Sequence, residues 1–152
     1  MGQQQLLLLV LGMVIVGIAV VAGIQAFSEG KAKADRDAAV SDAMRIISDV
    51  QAWKLKPKAF GGGGGADDAD FSALGSGGDA FKAIGIPSSR VNESGQYYTV
   101  NGCYTLTGAG DGATLEVFFL DPATNTCSSE QIATVTITGT DPEDISWSYA
   151  TP

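Results

Sequence analysis

The feature that most constrains this chain is an uncharged, strongly apolar run at residues 6–24. It holds nineteen residues, and thirteen of them are Leu, Ile or Val. At roughly 0.3–0.6 kcal/mol each, these thirteen favour insertion into a bilayer by about 4–8 kcal/mol. A helix of about 20 residues, rising ~1.5 Å per residue, crosses the ~30 Å hydrocarbon core of a membrane. The run therefore predicts a membrane-spanning helix.

The start of the chain lacks the pattern of a cleaved secretory signal. Such a signal has a basic first part, an apolar centre of roughly 7–15 residues and a small-residue cleavage site. Residues 1–5 read MGQQQ, without a basic side chain, and the apolar run that follows is longer than such a centre. We therefore expect the apolar helix to be retained.

The apolar run continues directly into an amphipathic segment at residues 28–55. This segment has no proline and is rich in Ala, Lys, Asp and Arg. Its apolar residues recur at the spacing of one helical stripe: Ala39, Ala43, Ile46, Val50 and Trp53. Pro57 and the glycine run at 61–65 would end a helix. We predict a single helix from about residue 3 to residue 55, roughly 80 Å long at ~1.5 Å per residue.

Beyond the glycine run, the apolar pattern changes to the two-residue alternation of strands. Residues 66–85 are interpreted as a linker with a short helical turn that Gly85 ends. Strands at 96–100 and 103–107 flank Asn101-Gly102 and predict a hairpin with a type I′ turn. Further strands are predicted at 113–120, 132–138 and 145–149, with Asp-Pro turn signals at 121–122 and 141–142.

Together these elements predict an α+β fold, in which a long N-terminal helix packs on a small antiparallel sheet. We expect an apolar helix at 1–27, its amphipathic continuation at 28–56, a glycine-rich linker and loop region at 57–95, and a sheet head at 96–152. Net charge is −8, and residues 59–152 carry twelve acidic side chains against two basic ones. Because phosphates would repel such a head, we expect it to bind no nucleic acid.

The two cysteines, Cys103 and Cys127, both lie in the acidic head, and the chain has no histidine. Two cysteines without histidine cannot complete a zinc site. In a head that lies outside the membrane, the two cysteines predict one disulfide. This bond would close a loop of about 25 residues and stabilise the fold by roughly 3–4 kcal/mol. The alternative is a pair of unpaired, buried thiols.

An apolar helix that runs on into an amphipathic one, followed by a sheet with a late cysteine pair, resembles the type IV pilins. The resemblance in architecture covers the whole chain, and its sequence-specific part is residues 1–25. It implies a leader that is removed, a methylated N-terminal residue, and an apolar run from the sixth residue of the mature chain. Because the run starts at Leu6, Met1 fits the mature N-terminus. The rival start is Gln3, after a cut behind Gly2.

The resemblance implies a structural subunit that waits in the inner membrane until the pilus assembly machinery builds identical copies into an extracellular filament. Close helix contact is expected at Gly12, Gly17 and Gly23, since small residues let helices approach; a lipid-facing span that merely tolerates glycine is the alternative. Gln5, also expected in the subunit interface, stands where the family usually has a glutamate that pairs with a neighbour's terminal amine. Ala22 replaces a common helix-breaking proline. Alternative functions are a pseudopilin of a secretion system and a single-pass, membrane-anchored binding module.

The sequence offers little support for catalysis or metal binding. There is no histidine base and no Gly-x-Ser-x-Gly elbow, and acids, rather than the lysine of a phosphate-binding loop, follow the glycine run. We expect no enzyme, cofactor or metal site, and a flexible hinge or surface loop at the glycine run. Acidic groups at 67–70 and 121–144 lack the spacing of a calcium loop, so solvated acidic loops are favoured. Asn92-Glu93-Ser94 matches the N-glycosylation acceptor pattern.

Overall fold

The computed structural model describes residues 2–65 and 70–150 and has the expected α+β arrangement. Its helices are α1 (Gly2–Leu55) and α2 (Gly78–Ala83). Its strands are β1 (Tyr97–Tyr98), β2 (Cys103–Ala109), β3 (Gly112–Asp121), β4 (Thr126–Ile137) and β5 (Ile145–Tyr149). The chain divides into two compact units, residues 1–34 and residues 35–152.

The first unit, as far as it is described, consists of the first part of α1. Every residue from 2 to 34 in it is solvent-exposed. The large apolar side chains between Leu6 and Ile24 keep 51–70% of their surface open. No described residue covers them, so this part of the helix has no hydrophobic core of its own.

The second unit packs the amphipathic part of α1 on the sheet. The stripe predicted from the sequence is the buried face: Ala39, Ala43, Ile46, Val50 and Trp53 are each at most 4% exposed. They meet the inward side chains of the sheet, which alternate along the strands as a half-buried sheet requires. Those fully buried are Tyr104, Leu106, Ala113, Leu115, Val117, Ala133, Val135 and Ile137. The predicted packing of helix on sheet is confirmed.

The sheet is an antiparallel meander in which each strand lies beside its neighbour in the chain, in the order β1 to β5. Strand β5 has the predicted bounds, and β3 exceeds its predicted range by one residue at each end. Strand β4 begins at Thr126, six residues before the predicted start at 132. This polar first part pairs with the end of β3, where the ladder has register shifts on both sides of Phe118.

The predicted type I′ turn at Asn101-Gly102 is wrong. That turn needs positive φ angles, and Asn125 is the one non-glycine residue described with a positive φ; Gly102 has none either. Strands β1 and β2 are instead joined by four residues, 99–102, in which the Thr99 N–H donates to the Gly102 carbonyl at 2.9 Å. The carboxylate of Asp42 on α1 binds this loop.

The glycine run at 61–65 is a packed helix cap rather than a flexible hinge. A helix leaves its last four carbonyls without intrahelical donors. Here the N–H of Gly63 donates to the Trp53 carbonyl at 3.0 Å, and that of Gly65 to the Lys54 carbonyl at 2.9 Å. A Cβ atom at Gly62 would lie 2.1 Å from the Lys56 carbonyl oxygen. The run is therefore glycine because the chain folds back against the end of α1.

The region expected as a linker contributes to the core, which the sequence analysis did not predict. Phe71, Leu74 and Phe81 are at most 1% exposed. The Phe71 N–H donates to the Ala109 carbonyl at 2.9 Å, so this segment is also hydrogen-bonded to β2. The short helical turn before Gly85 is confirmed as α2. Asp67 and Asp68, considered above as calcium ligands, lie outside the described residues.

Candidate functional site

The residues predicted to contact neighbouring helices lie on two different sides of α1. At about 100° per residue, spacings of seven and eleven bring Gln5, Gly12 and Gly23 within roughly 20° of one line. Gly17 is turned away from that line by about 120–140°. It lies on a separate face of the helix with Ile18, Val21 and Gln25. Met1, the expected mature N-terminus, lies outside the described residues.

Small residues continue along the line through Gly12 and Gly23. We call this set, five small residues and Val16, the small-residue seam, and its members recur at alternating spacings of four and three: Gly12, Val16, Ala19, Gly23, Ala26 and Gly30. This 3.5-residue period is that of a left-handed helix bundle. This period is present in the sequence itself.

The fold of the chain itself does not require the glycines of this helix. A Cβ atom built at Gly12, Gly17, Gly23 or Gly30 would meet nothing within 4 Å. None of the four has a positive φ. Each nevertheless weakens a helix by about 0.8–1.0 kcal/mol relative to alanine. Nothing among the described residues compensates for that cost.

In the head, Cys103 and Cys127 form the predicted disulfide, with their Cα atoms 5.0 Å apart. The alternative of two unpaired thiols is wrong. Cys103 is the first residue of β2, and Cys127 lies near the start of β4. In the ladders they lie beside Phe118 and Leu120 of β3, so the bond ties together the two strands that flank β3.

A carboxylate that the sequence analysis did not single out fixes the loop between β1 and β2. The Oδ2 atom of Asp42 on α1 accepts hydrogen bonds from the Thr99 hydroxyl and the Asn101 side-chain amide, both at 3.0 Å. The hydroxyl of Tyr104 donates to the Ala39 carbonyl at 3.2 Å. Burial raises the pKa of Tyr104, which keeps this phenol protonated as a donor. These bonds attach the loop to the helix and are structural.

The side chain of Asn92, the asparagine of the N-glycosylation pattern, already has a full set of hydrogen bonds. Its Nδ2 donates to the Gln96 Oε1 atom and to the Asn125 carbonyl, both at 3.0 Å. Its Oδ1 accepts from the N–H groups of Ser94 at 3.0 Å and Gln96 at 2.9 Å. Two donors and two acceptor sites are all that an amide side chain has. Asn92 thus closes a turn and joins it to the loop between β3 and β4.

We predict that Asn92→Ala destabilises the head by about 2 kcal/mol. Four hydrogen bonds are lost, and because they are partly exposed, each is expected to contribute about 0.5 kcal/mol to the free energy of unfolding. Ser94→Ala is the matched control. It also removes the glycosylation pattern, but it leaves the backbone N–H that bonds to Asn92. Chemical denaturation followed by tryptophan fluorescence measures both variants. Equal stability of the two would contradict the structural role of Asn92.

Three of the acids considered as calcium ligands at 121–144 are engaged in local backbone hydrogen bonds. The Oδ1 atom of Asp121 accepts from the Ala123 N–H at 2.9 Å. Asp141 and Asp144 form a capping box around the turn Pro142–Asp144. Among residues 2–65 and 70–150, no cluster of three or more acidic, cysteine or histidine side chains is arranged to hold a metal ion.

Within the described part of the chain, α1 is the helix whose length and composition suit a membrane span. Its apolar part and the small-residue seam on it are therefore the surface with the clearest functional chemistry. Comparisons with protein-family models, with curated proteins and with solved structures found no match to this chain.

Proposed function

We propose that this chain is a membrane-inserted structural subunit of an extracellular filament of the type IV pilin kind. The observation that carries the proposal is the complete exposure of a charge-free apolar helix at residues 6–24. A contiguous apolar surface of this size marks an interaction with a membrane or with protein. Lipid would cover it before assembly, and the same segment of neighbouring copies would cover it in the filament.

The glycines of α1 favour a helix bundle over a lone membrane anchor. An anchor needs apolar surface and gains nothing from glycine, which weakens the helix. In a bundle, Gly12 and Gly23 let two helix backbones approach closely. Lipid tails are as apolar as leucine, so close van der Waals packing, rather than the hydrophobic effect, would drive the helix from lipid into the bundle.

The disulfide supports a head that faces an oxidising compartment. Cys103 and Cys127 form a disulfide. Structural disulfides persist outside the cytoplasm and are rare within it. With the apolar helix in the inner membrane, the head would face the outside of that membrane, and assembly would carry it to the cell surface. The acidic head would then be the solvated exterior of the fibre.

Shearing of cells that express the full-length chain together with a pilus assembly machinery tests the proposal. We expect electron microscopy of the sheared material to show filaments. Mass spectrometry should identify this polypeptide in the filaments and find its N-terminal peptide methylated. Methylation at Met1 would support the preferred start, and methylation at Gln3 the rival one. A pseudopilin would instead give short fibres that stay within the envelope. The proposal would be refuted if the protein were monomeric in mild detergent and the cells carried no filament that contains it.

A further inference from the structure

We propose that two stripes of charged side chains on α1 pair between neighbouring copies and fix the stagger at which the helices pack. The proposal rests on the filament function proposed above. Stripe one consists of Glu29, Lys33 and Asp37, and stripe two of Lys31 and Asp35. All five residues are exposed, and Gly or Ala separates them between 29 and 35.

The two stripes lie on opposite sides of the helix. Residues four apart advance by about 40° around an α-helix, so the members of each stripe stay on one side. At about 100° per residue, the middle of stripe one is roughly 180° from the middle of stripe two. One helix can therefore present stripe one to one neighbour and stripe two to another.

These charges have no partners among residues 2–65 and 70–150. Among the described residues, none of the five takes part in an ion pair or a side-chain hydrogen bond. Three pairs with the spacing of four that favours contact along a helix are left open: Glu29 with Lys33, Lys33 with Asp37, and Lys31 with Asp35. Both signs of charge are thus available to another molecule.

The pattern is complementary to a second copy of itself. If stripe one faces stripe two of a parallel neighbour shifted by two residues, about 3 Å along the axis, Glu29 meets Lys31 and Lys33 meets Asp35. A shift of two residues in the opposite direction places Lys33 of one copy against Lys31 of its neighbour, and Asp37 against Asp35. Both of these pairs have like charges. Like charges placed together oppose a wrong register. A contact between two different faces of neighbouring copies can also be repeated from copy to copy without forming a closed ring, as a filament requires.

Charge-reversal variants of the full-length chain test this pairing. E29K/D35K makes the segment basic apart from Asp37, and K31E/K33E makes it acidic apart from Arg36. For each variant alone, the yield of sheared filaments is expected to fall at least tenfold below that of the unaltered chain. Co-expression of the two variants is expected to restore the yield. Pairing within one helix predicts no restoration, because each helix would keep its own like charges. K82E/R90E, which reverses two exposed charges of the head, is the control for net charge and should assemble normally.

A second variant keeps the test valid if either reversal impairs membrane insertion. E29K/K31E/K33E/D35K inverts the pattern without changing the net charge. We expect it to form its own filaments but not to mix with the unaltered chain, as shown by co-isolation of two differently tagged copies. If the unaltered chain forms no filament, the proposed function fails. If it does, and the reversed variants assemble like the control or the inverted chain mixes freely, the stripe pairing is wrong and the filament function stands.

Discussion

Gly12→Leu and Gly23→Leu are each expected to abolish filaments while the protein stays inserted in the membrane. Both residues lie on the small-residue seam, where a leucine side chain would hold neighbouring helix backbones apart. The substitution makes the single helix more stable, by about 0.8 kcal/mol from helix propensity and by a further ~0.3–0.6 kcal/mol from insertion. Shearing measures assembly, and resistance of the membrane fraction to alkaline extraction measures insertion.

Two matched substitutions separate close approach from bulk. Gly23→Ala keeps a small residue on the seam and should retain most assembly. Val21→Leu, about 160° from Ala19 and so away from the seam, adds one methylene group to a side chain that is already large and should retain most assembly. Gly17→Leu enlarges a residue on the same side of the helix as Lys31 and Asp35, where a second neighbour is proposed to lie, and should weaken assembly. Normal filaments from Gly12→Leu and Gly23→Leu would show that the seam is a lipid-facing surface.

The helix could be predicted because several signals agree along it. The absence of proline, the apolar run and the stripe from Ala39 to Trp53 all indicate one continuous element. Strand β5 was predicted with its observed bounds because Asp141-Pro142 marks the turn before it and its residues alternate. These signals are local, and the structure does not oppose them.

The errors occur where distant residues decide the local structure. Asn101-Gly102 is a strong local turn signal, but Asp42, fifty-nine residues earlier than Asn101, binds the loop through two side chains. The first part of β4 has no apolar alternation to reveal it. Pairing with the end of β3 and the bond through Cys127 place it in the sheet. The glycine run looked flexible because its partners, the last carbonyls of α1, cannot be recognised from composition.

The residues expected at a subunit interface stay a prediction, and the structure gives only their positions around α1. Gly12, Gly23 and Gln5 share one line on α1, whereas Gly17 lies on another side, because residue type alone does not give the angle around a helix. The spacings of seven and four that link Gly12, Ala19 and Gly23 distinguish these residues from Gly17. The two charged stripes could also have been read from the sequence. What required the structure was the finding that their charges have no partner among the described residues.

Replacing both cysteines by alanine, C103A/C127A, is expected to destabilise the head by about 3–4 kcal/mol, mainly by releasing a loop of about 25 residues in the unfolded chain. The melting temperature should fall by roughly 10–20 °C, given about 4 °C per kcal/mol for a unit of this size. Both tryptophans, Trp53 and Trp147, lie in the second unit. Their fluorescence therefore follows unfolding of the head in full-length protein, without interference from the apolar helix.

The effect should be concentrated at the irregular end of the sheet. Cys127 lies in the polar first part of β4, where the ladder to β3 shifts register and none of residues 126–131 is buried. In C103A/C127A we expect amide hydrogen exchange at 126–131 to accelerate more than at Val135, which is fully buried in the regular part of the strand. Ser129→Ala, an exposed change in the same stretch, should leave both stability and exchange unchanged. If C103A/C127A lost less than about 1 kcal/mol, the fold would hold β4 in place without the bond, and the disulfide would owe its presence to the oxidising compartment alone.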